Sequence, residues 1–209
     1  MHILYEDEHL LICEKPAGVS AQGGPDDMVS RASETLGRDC LPVHRLDRGT
    51  GGLLALAKTK EAAARLSALF RDRAVEKEYL AVVQGAPEPG EGEYRDLLYH
   101  DPAKNKSYVV RRMRRGVREA VLRYRVEARA EELSLVRVTL GTGRTHQIRV
   151  QFASRGMPLL GDRRYGGRPA GTVALWSCRL CFVHPFTGRL LEAVLPPPRV
   201  WPWTAFETE

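Results

Sequence analysis

The chain has 209 residues, of which 43% are hydrophobic and 28% charged, and its formal net charge is +6. This length and composition predict one globular domain, residues 1–209, with a substantial core. No apolar run is long enough for a transmembrane helix, and the acidic start of the chain does not fit a signal peptide. We therefore expect a cytoplasmic protein that has no membrane partner.

Two strands and a helix are predicted at the start of the chain. Apolar runs indicate short strands over residues 3–6 and 10–14. The carboxylate of Asp26 or Asp27 can accept hydrogen bonds from the first N–H groups of a helix, and Gly37 is suited to end that helix.

A strand, a helix and another strand are predicted next. Residues 53–58 and 75–84 form apolar runs typical of strands, and Thr59 can cap a helix over residues 60–72. The apolar residues of this helix recur at the spacing of a core-facing stripe: Ala62, Leu66, Leu69 and Phe70.

The second half of the chain predicts half-buried strands and one helix. The helix is expected over residues 146–154, with Thr145 as its cap. Strand patterns lie over residues 94–99, 107–110, 121–126, 136–140, 173–183 and 190–195. Together the elements predict an α+β fold, a mixed, mostly antiparallel sheet with flanking helices.

Positive charge is concentrated in one segment. Residues 101–150 contain 13 Lys and Arg against 5 Asp and Glu. A predicted hairpin tip within this segment holds a group of arginines: Arg111, Arg112, Arg114, Arg115 and Arg118. Such a group is either a solvated loop or a contact for a polyanion, and the clustering of one sign favours contact with phosphates.

The cysteines give no strong indication of a metal or redox site. Cys178 and Cys181 have the C-x-x-C spacing of half a zinc site or a redox pair, but no second pair follows. The flanking residues predict a strand, which would direct the two side chains to opposite faces. No P-loop and no G-x-G-x-x-G motif is present, so we expect neither a metal nor a cofactor.

Asp47 is the most conspicuous acid, because Gly49, Gly51 and Gly52 follow it closely. Glycines permit backbone angles that other residues resist, so the carboxylate is expected on a loop at a junction between ordered segments. Loop chemistry alone leaves two interpretations open, a turn residue and a reactive acid.

Several sequence blocks resemble one family. The segment from His44 to Leu54 is similar to the H-R-L-D-x-x-T-S-G-L-L signature of the RluA-type pseudouridine synthases. Further blocks resemble later motifs of that family in the same order: residues 143–149, 161–166, 184–188 and 195–198. The chain departs from the family pattern at Gly51, where serine is usual, and at Trp176, where histidine is common. The likeness spans nearly the whole chain and implies the pseudouridine synthase fold.

The resemblance implies catalytic roles for three residues. Asp47 would act at the ribose of a uridine, as a nucleophile or as a base. Arg144, in the G-R-T-H-Q-I-R block, would be its ion partner. Tyr79, in a K-x-Y-x-A motif, would stack on the uracil and help to remove the proton at C5. His44 matches the motif as well and is interpreted as structural.

The resemblance also implies contacts with RNA. Enzymes that act on a base inside structured RNA flip it out of the stack, and Arg45 would fill the vacated space. Leu195 would add apolar contact to the flipped base. The arginines between 111 and 118 are the expected site of target-dependent contacts. The substrate would be structured ribosomal or transfer RNA. A chain that opens directly on this fold resembles members without an S4-type module, and we expect a monomer that requires no protein partner.

Two other functions stay open at this point. One is a non-catalytic RNA-binding or ribosome-assembly module with the same fold, which the presence of Asp47 and Tyr79 disfavours. The other is a glycosidase-like hydrolase that uses Asp47. That chemistry usually requires a second carboxylate about 5–10 Å from the first, and no acid near Arg144 or Tyr79 in the sequence suggests one.

Overall fold

The computed structural model describes residues 1–24 and 26–206, so residue 25 and residues 207–209 lie outside the description. The chain divides into two compact units. The first consists of Met1–Lys77 and Trp176–Pro197, and the second of Glu78–Leu175 and the residues from Pro198 onward. That the whole chain acts as one domain stays a prediction. No helix in the described part of the chain is long and apolar enough to cross a membrane.

Strands dominate both units. In chain order they are β1 (Ile3–Glu6), β2 (Leu10–Lys15), β3 (Leu41–Pro42), β4 (Gly51–Ala57), β5 (Glu76–Gln84), β6 (Glu91–Asp101), β7 (Lys106–Val110), β8 (Val117–Ala130), β9 (Leu133–Leu140), β10 (Leu175–Val183) and β11 (Leu190–Val194). The helices are α1 (Met28–Leu36), α2 (Lys60–Arg71) and α3 (Gln147–Ala153). Short 3₁₀ turns cover Arg163–Tyr165 and Trp203–Phe206.

The first unit is a mixed sheet with two helices. Its strands lie in the order β1-β2-β4-β10-β11, and β3 also pairs with β4. The pairing of β4 with β10 is parallel, whereas the other pairings in this unit are antiparallel. All seven residues of β4 are buried, as expected for an apolar strand that is covered on both faces.

The helices of the first unit begin and end as the sequence predicts. The side chain of Asp27 accepts a hydrogen bond from the N–H of Ser30 at 2.8 Å, and α1 ends at Gly37, whose φ of 60° suits glycine. The hydroxyl oxygen of Thr59 accepts a hydrogen bond from the N–H of Ala62 at 3.1 Å at the start of α2. These caps confirm the predicted helices.

The second unit is an antiparallel sheet with the order β5-β9-β8-β6-β7. Helix α3 packs on it, and a core cluster joins Leu98 of β6, Ala120 of β8 and Val150 of α3. The strands and helices of the two units confirm the predicted α+β class with a mixed, mostly antiparallel sheet.

Two local predictions are wrong. Residues 111–116 do not form a hairpin tip, because β7 and β8 pair with opposite sides of β6 and this loop crosses β6 between the levels of Leu97 and Tyr99. Thr145 does not cap α3. The N-cap residue is His146, which has a φ of 56° and makes no side-chain cap bond. The side chain of Gln147, which accepts hydrogen bonds from Thr142 and Arg144, holds this turn instead.

Candidate active site

Asp47 lies in the loop between β3 and β4. Its carbonyl oxygen accepts a hydrogen bond from the N–H of Thr50 at 3.0 Å, which closes a turn directly before β4. Leu46 is buried, Asp47 is half-buried and Arg45 is exposed. Because this burial alternates along the segment, Arg45 and Asp47 share its more open side. The turn therefore presents a carboxylate directly before the start of the buried strand β4.

Lys15 holds this turn through the carbonyl oxygen of Arg48 and was not among the predicted site residues. The side chain is 0% exposed, and its ammonium nitrogen donates to the carbonyl oxygens of Pro16 at 3.0 Å, Val19 at 2.7 Å and Arg48 at 3.3 Å. Burial lowers the pKa of Lys15 to about 8, and the charge of Asp47 opposes this shift. In the sequence, this role was indicated by a lysine at the last position of an otherwise mostly apolar strand.

A reciprocal pair of hydrogen bonds joins the turn to the loop after β2. The N–H of Gly18 donates to the carbonyl oxygen of Arg48 at 2.8 Å. The Nε of Arg48 donates to the carbonyl oxygen of Gly18, also at 2.8 Å. Together with Lys15, this pair fixes the backbone directly after Asp47.

His44 has a structural environment. Its Nε2 accepts a hydrogen bond from the N–H of Ala55 on β4 at 2.9 Å. Its ring stacks on Phe70 of α2 with 4.2 Å between ring centroids. Burial, assisted by the charge of Lys77, lowers the pKa of His44 to about 3. The imidazole is therefore neutral near pH 7 and serves as an acceptor.

Leu195 also belongs to the first unit and is buried. Its N–H donates to the carbonyl oxygen of Cys178 at 2.9 Å. Its own carbonyl oxygen accepts a hydrogen bond from Nε1 of Trp176 at 2.9 Å. The chain after β11 is thus anchored to β10 at the predicted base-contacting residue.

Tyr79 belongs to the second unit, in β5 opposite Val138 of β9. Its side chain is 7% exposed. This backbone pairing sets the position of Tyr79 in the sheet. Sequence periodicity predicted this strand correctly, whereas the catalytic role of Tyr79 stays a prediction.

Arg144 lies in the turn before α3, which Gln147 organises. The side-chain oxygen of Gln147 accepts hydrogen bonds from the N–H of Arg144 at 3.0 Å and from the hydroxyl of Thr142 at 2.7 Å. The Nε of Arg144 donates to the carbonyl oxygen of Glu119 at 3.0 Å. Gln147 was not among the predicted site residues, although it lies in the 143–149 block and is a polar residue on the apolar side of a short helix.

A buried ion pair secures α3 to the 161–166 block. Arg149 donates to Asp162 in a two-point arrangement, with Nε at 2.7 Å and one terminal nitrogen at 2.9 Å. The hydroxyl of Tyr165 lies 3.0 Å from Nδ1 of His146 and accepts a hydrogen bond from the N–H of Ser107 at 2.7 Å. Two of the motif blocks therefore form one hydrogen-bonded support for the turn that carries Arg144.

The arginine loop, residues 111–116, is exposed. Within the described residues, no carboxylate lies within ion-pair distance of its four arginines, Arg111, Arg112, Arg114 and Arg115. Arginines on the neighbouring strand β8 differ, since Arg123 pairs with Glu93 and Arg125 with Glu127. The guanidinium of Arg114 lies over the ring of Tyr99, 5.2 Å from its centroid. The loop is thus a source of positive charge that the protein itself does not neutralise.

Cys178 and Cys181 are buried thiols in β10. Their positions in one strand, three residues apart, direct them to opposite faces. Residues 1–24 and 26–206 contain no cluster of three or more His, Cys, Asp or Glu side chains arranged to hold a metal ion.

The predicted site residues divide between the two units. Asp47, Arg45 and Leu195 lie in the first unit, whereas Tyr79 and Arg144 lie in the second, together with the arginine loop. The ion pair between Asp47 and Arg144 stays a prediction.

Comparisons with known proteins agree with the motifs. The family model described as RNA pseudouridylate synthase matches residues 9–154. Ribosomal large subunit pseudouridine synthase C of Escherichia coli K12 is 35% identical over 93% of this chain and 66% of its own length. The uncharacterized RNA pseudouridine synthase YhcT of Bacillus subtilis is 35% identical over 95% of this chain and 69% of its own length. The chain therefore spans about two thirds of the length of these curated relatives.

Solved structures resemble the fold. Human RNA pseudouridylate synthase domain containing 4 has a TM-score of 0.80 at 26% identity, with 95% of this chain and 89% of that chain covered. Human RNA pseudouridylate synthase domain containing 1 has a TM-score of 0.83 at 22% identity, with 98% of this chain and 87% of that chain covered. The second likeness concerns the fold alone.

Proposed function

Because the chain belongs to the RNA pseudouridylate synthase family, we propose that it isomerises specific uridines to pseudouridine in structured ribosomal or transfer RNA. The reaction breaks the N1–C1′ bond of a uridine, turns the uracil and joins it to the ribose through C5. It requires a carboxylate near C1′, a pocket that excludes water and a means of extracting the nucleotide. No redox step and no phosphoryl transfer is involved, so the proposal includes no cofactor.

Asp47 supplies the carboxylate in this proposal. The observation that carries it is the support of the Asp47 turn, where buried Lys15 and the Arg48–Gly18 pair hold the adjacent backbone. A carboxylate that acts at C1′ gains rate from fixed placement, because its orientation is established before the substrate binds. Asp47 acts on the ribose as a nucleophile or as a base.

Arg144 is the proposed ion partner that keeps this carboxylate charged and oriented. Its main chain and its Nε are already held by Gln147 and by the carbonyl oxygen of Glu119. A guanidinium beside a carboxylate stabilises the charged form.

Three residues act in this proposal on the extracted nucleotide or on the space that it leaves. Arg45 is exposed beside Asp47 and fills the space that the flipped base leaves in the RNA. Tyr79 stacks on the uracil, which is worth about 1–3 kcal/mol for a base on an aromatic ring. Its hydroxyl also helps to remove the C5 proton. Leu195 adds apolar contact to the base.

The arginine loop binds phosphates of the RNA outside the target nucleotide. Its guanidinium groups are exposed and free of ion pairs among the described carboxylates. A concentrated positive segment of this kind attracts a polyanion and makes binding depend on salt. We also propose that the enzyme acts in the cytoplasm, as a monomer and without a protein partner.

Release of tritium from RNA that contains 5-tritiated uridine tests the activity without knowledge of the target site, because isomerisation must expel the C5 hydrogen. The wild-type protein, Asp47→Asn and Asp39→Asn would be compared on total cellular RNA. Asp39 is an exposed aspartate close in sequence and is the matched control. We expect release by wild type and Asp39→Asn and none by Asp47→Asn.

The other outcomes contradict parts of the proposal. Release by Asp47→Asn at the wild-type rate would mean that another carboxylate acts. Binding of RNA by the wild-type protein with no release from ribosomal or transfer RNA would favour the non-catalytic module.

A further inference from the structure

The ring of Trp176 occupies the space beside Gly51 in which any larger residue would place its Cβ. The parallel pairing of β4 with β10 sets Gly51 directly beside Trp176. A Cβ on Gly51 would lie 2.6 Å from Cε3 of Trp176, and closer still to Cζ3. It would also lie 3.3 Å from the backbone nitrogen of Ala17. Glycine at position 51 is therefore required by contact with this ring.

The ring of Trp176 cannot move aside easily. Its side chain is 4% exposed, and its Nε1 donates to the carbonyl oxygen of Leu195 at 2.9 Å. The N–H of Leu195 in turn donates to Cys178, two residues after Trp176 on β10. A displaced indole would lose a buried hydrogen bond and leave the carbonyl oxygen of Leu195 without this donor.

The same contact adjoins the turn that carries the proposed catalytic carboxylate. Gly51 follows Thr50, whose N–H closes the turn on the carbonyl oxygen of Asp47 at 3.0 Å. Trp176 therefore contacts the end of the Asp47 turn with its ring and holds the backbone of Leu195 with its nitrogen. All these residues belong to the first unit.

We propose that Trp176 is a positioning residue, which sets the Asp47 turn relative to Leu195 through a size match with Gly51. The inference rests on the proposed function, since it assigns Asp47 and Leu195 their roles in the isomerisation. Trp176 itself acts through these two residues. A methyl group at position 51 would push the turn or the indole away and displace the carboxylate from the ribose.

A cycle of substitutions tests the match. The variants are Gly51→Ala, Trp176→Leu, the double variant Gly51→Ala/Trp176→Leu, and Trp176→Phe, which keeps a ring but removes the N–H. Gly90→Ala is the matched control, because a Cβ at Gly90 meets nothing within 4 Å and the backbone there is not left-handed. The measurements are the single-turnover rate of tritium release, the Kd for the RNA and the thermal unfolding midpoint.

We expect Gly51→Ala to release tritium roughly 100-fold more slowly than wild type, the loss typical of a displacement of about 1 Å at a reacting group. Its Kd for RNA should stay at the wild-type value, since Arg45 and the arginine loop are untouched. The double variant should be faster than Gly51→Ala, because the smaller leucine makes room for the added methyl group. A gain of activity upon a second substitution is not expected from two independent structural defects.

Other results would overturn the inference. A rate for Gly51→Ala equal to that of Gly90→Ala would show that the contact does not position the turn. A double variant no faster than Gly51→Ala would show that the two residues are not matched.

If Gly51→Ala does not fold, Trp176→Leu and Trp176→Phe decide the question. The positioning role is supported if both variants release tritium more slowly at an unchanged Kd and the loss is larger for Trp176→Leu than for Trp176→Phe. It is overturned if RNA binding and the rate of release fall in parallel. If wild type itself releases no tritium, the proposed function fails, and the positioning role fails with it.

Discussion

The ammonium nitrogen of Lys15 lies 3.3 Å from the carbonyl oxygen of Arg48, the residue that follows Asp47. The two residues are 33 positions apart in the chain. Antiparallel pairing of β2 with β4 aligns Lys15 with Gly52 and so brings the ammonium group of Lys15 next to the turn. A fully buried lysine is costly unless polar groups surround it, and three carbonyl oxygens do so here.

Substitution of Lys15 by methionine should loosen the turn. The variant loses the donor to three part-buried carbonyl oxygens, so we expect the free energy of unfolding to fall by about 1–3 kcal/mol. Tritium release should slow by more than the fraction of unfolded protein explains, since the backbone next to Asp47 loses its support. Urea unfolding and single-turnover release measure the two effects. Wild-type rate and stability in this variant would contradict the role of Lys15.

The lowered pKa of His44 predicts that the folded protein loses stability in mild acid. Its pKa is about 3 in the folded protein, compared with an ordinary value of 6.5. Below pH 6.5 the unfolded chain binds a proton that the folded protein does not, so the stabilisation is complete above pH 6.5 and declines as the pH falls toward 3. Glutamine at this position can accept the same hydrogen bond but does not titrate.

The comparison of wild type with His44→Gln isolates this contribution. The stability of wild type should fall relative to that of the variant by about 1 kcal/mol per pH unit between pH 6 and pH 4. Urea unfolding at several pH values gives the difference. Parallel profiles for the two proteins would show that His44 titrates alike in the folded and unfolded states.

The buried ion pair between Arg149 and Asp162 should contribute strongly to the stability of the fold. Asp162→Ala leaves a buried guanidinium without its carboxylate, which we expect to cost about 3–5 kcal/mol. Glu61→Ala is the control, because it breaks the exposed pair with Arg65 on α2, which is worth about 0–1 kcal/mol. Denaturant unfolding of both variants checks the prediction. Equal costs would mean that burial of the Arg149–Asp162 pair has no consequence.

The arginine loop should control the salt dependence of RNA binding. The variant that tests this carries glutamine at Arg111, Arg112, Arg114 and Arg115. Each phosphate contact contributes about 0.7–0.9 to the slope of log Kd against log salt, so the slope should fall by about 3. The control replaces four arginines that pair with glutamates: Arg95, Arg123, Arg125 and Arg129. An equal change of slope in both variants would show that overall charge, and not the loop, sets the dependence.

Local patterns predicted most of the elements but not their arrangement. The caps Asp27 and Thr59 act within three residues of themselves, so their helices could be located from the sequence. The arginine loop was misread as a hairpin tip, because alternation identifies strands and does not state which strands pair. Thr145 was misread as a cap because the turn before α3 depends on Gln147 and Thr142.

Two departures from the family pattern proved to be one feature of the structure. Gly51 and Trp176 are 125 positions apart in the chain, yet each explains the other, because the indole fills the space beside the glycine. The sequence showed both residues but contained no sign of their contact.

The sequence by itself determined most of the strands, the three helices, the α+β class and the candidate carboxylate, since these depend on periodicity, local hydrogen bonds and a motif. Only the tertiary structure decided how Asp47 is held. Lys15 under its turn, and the size match of Gly51 with Trp176, join segments that are distant in the chain. Such contacts depend on which strands pair and in which register, and the free energy of that pairing is spread over the whole core.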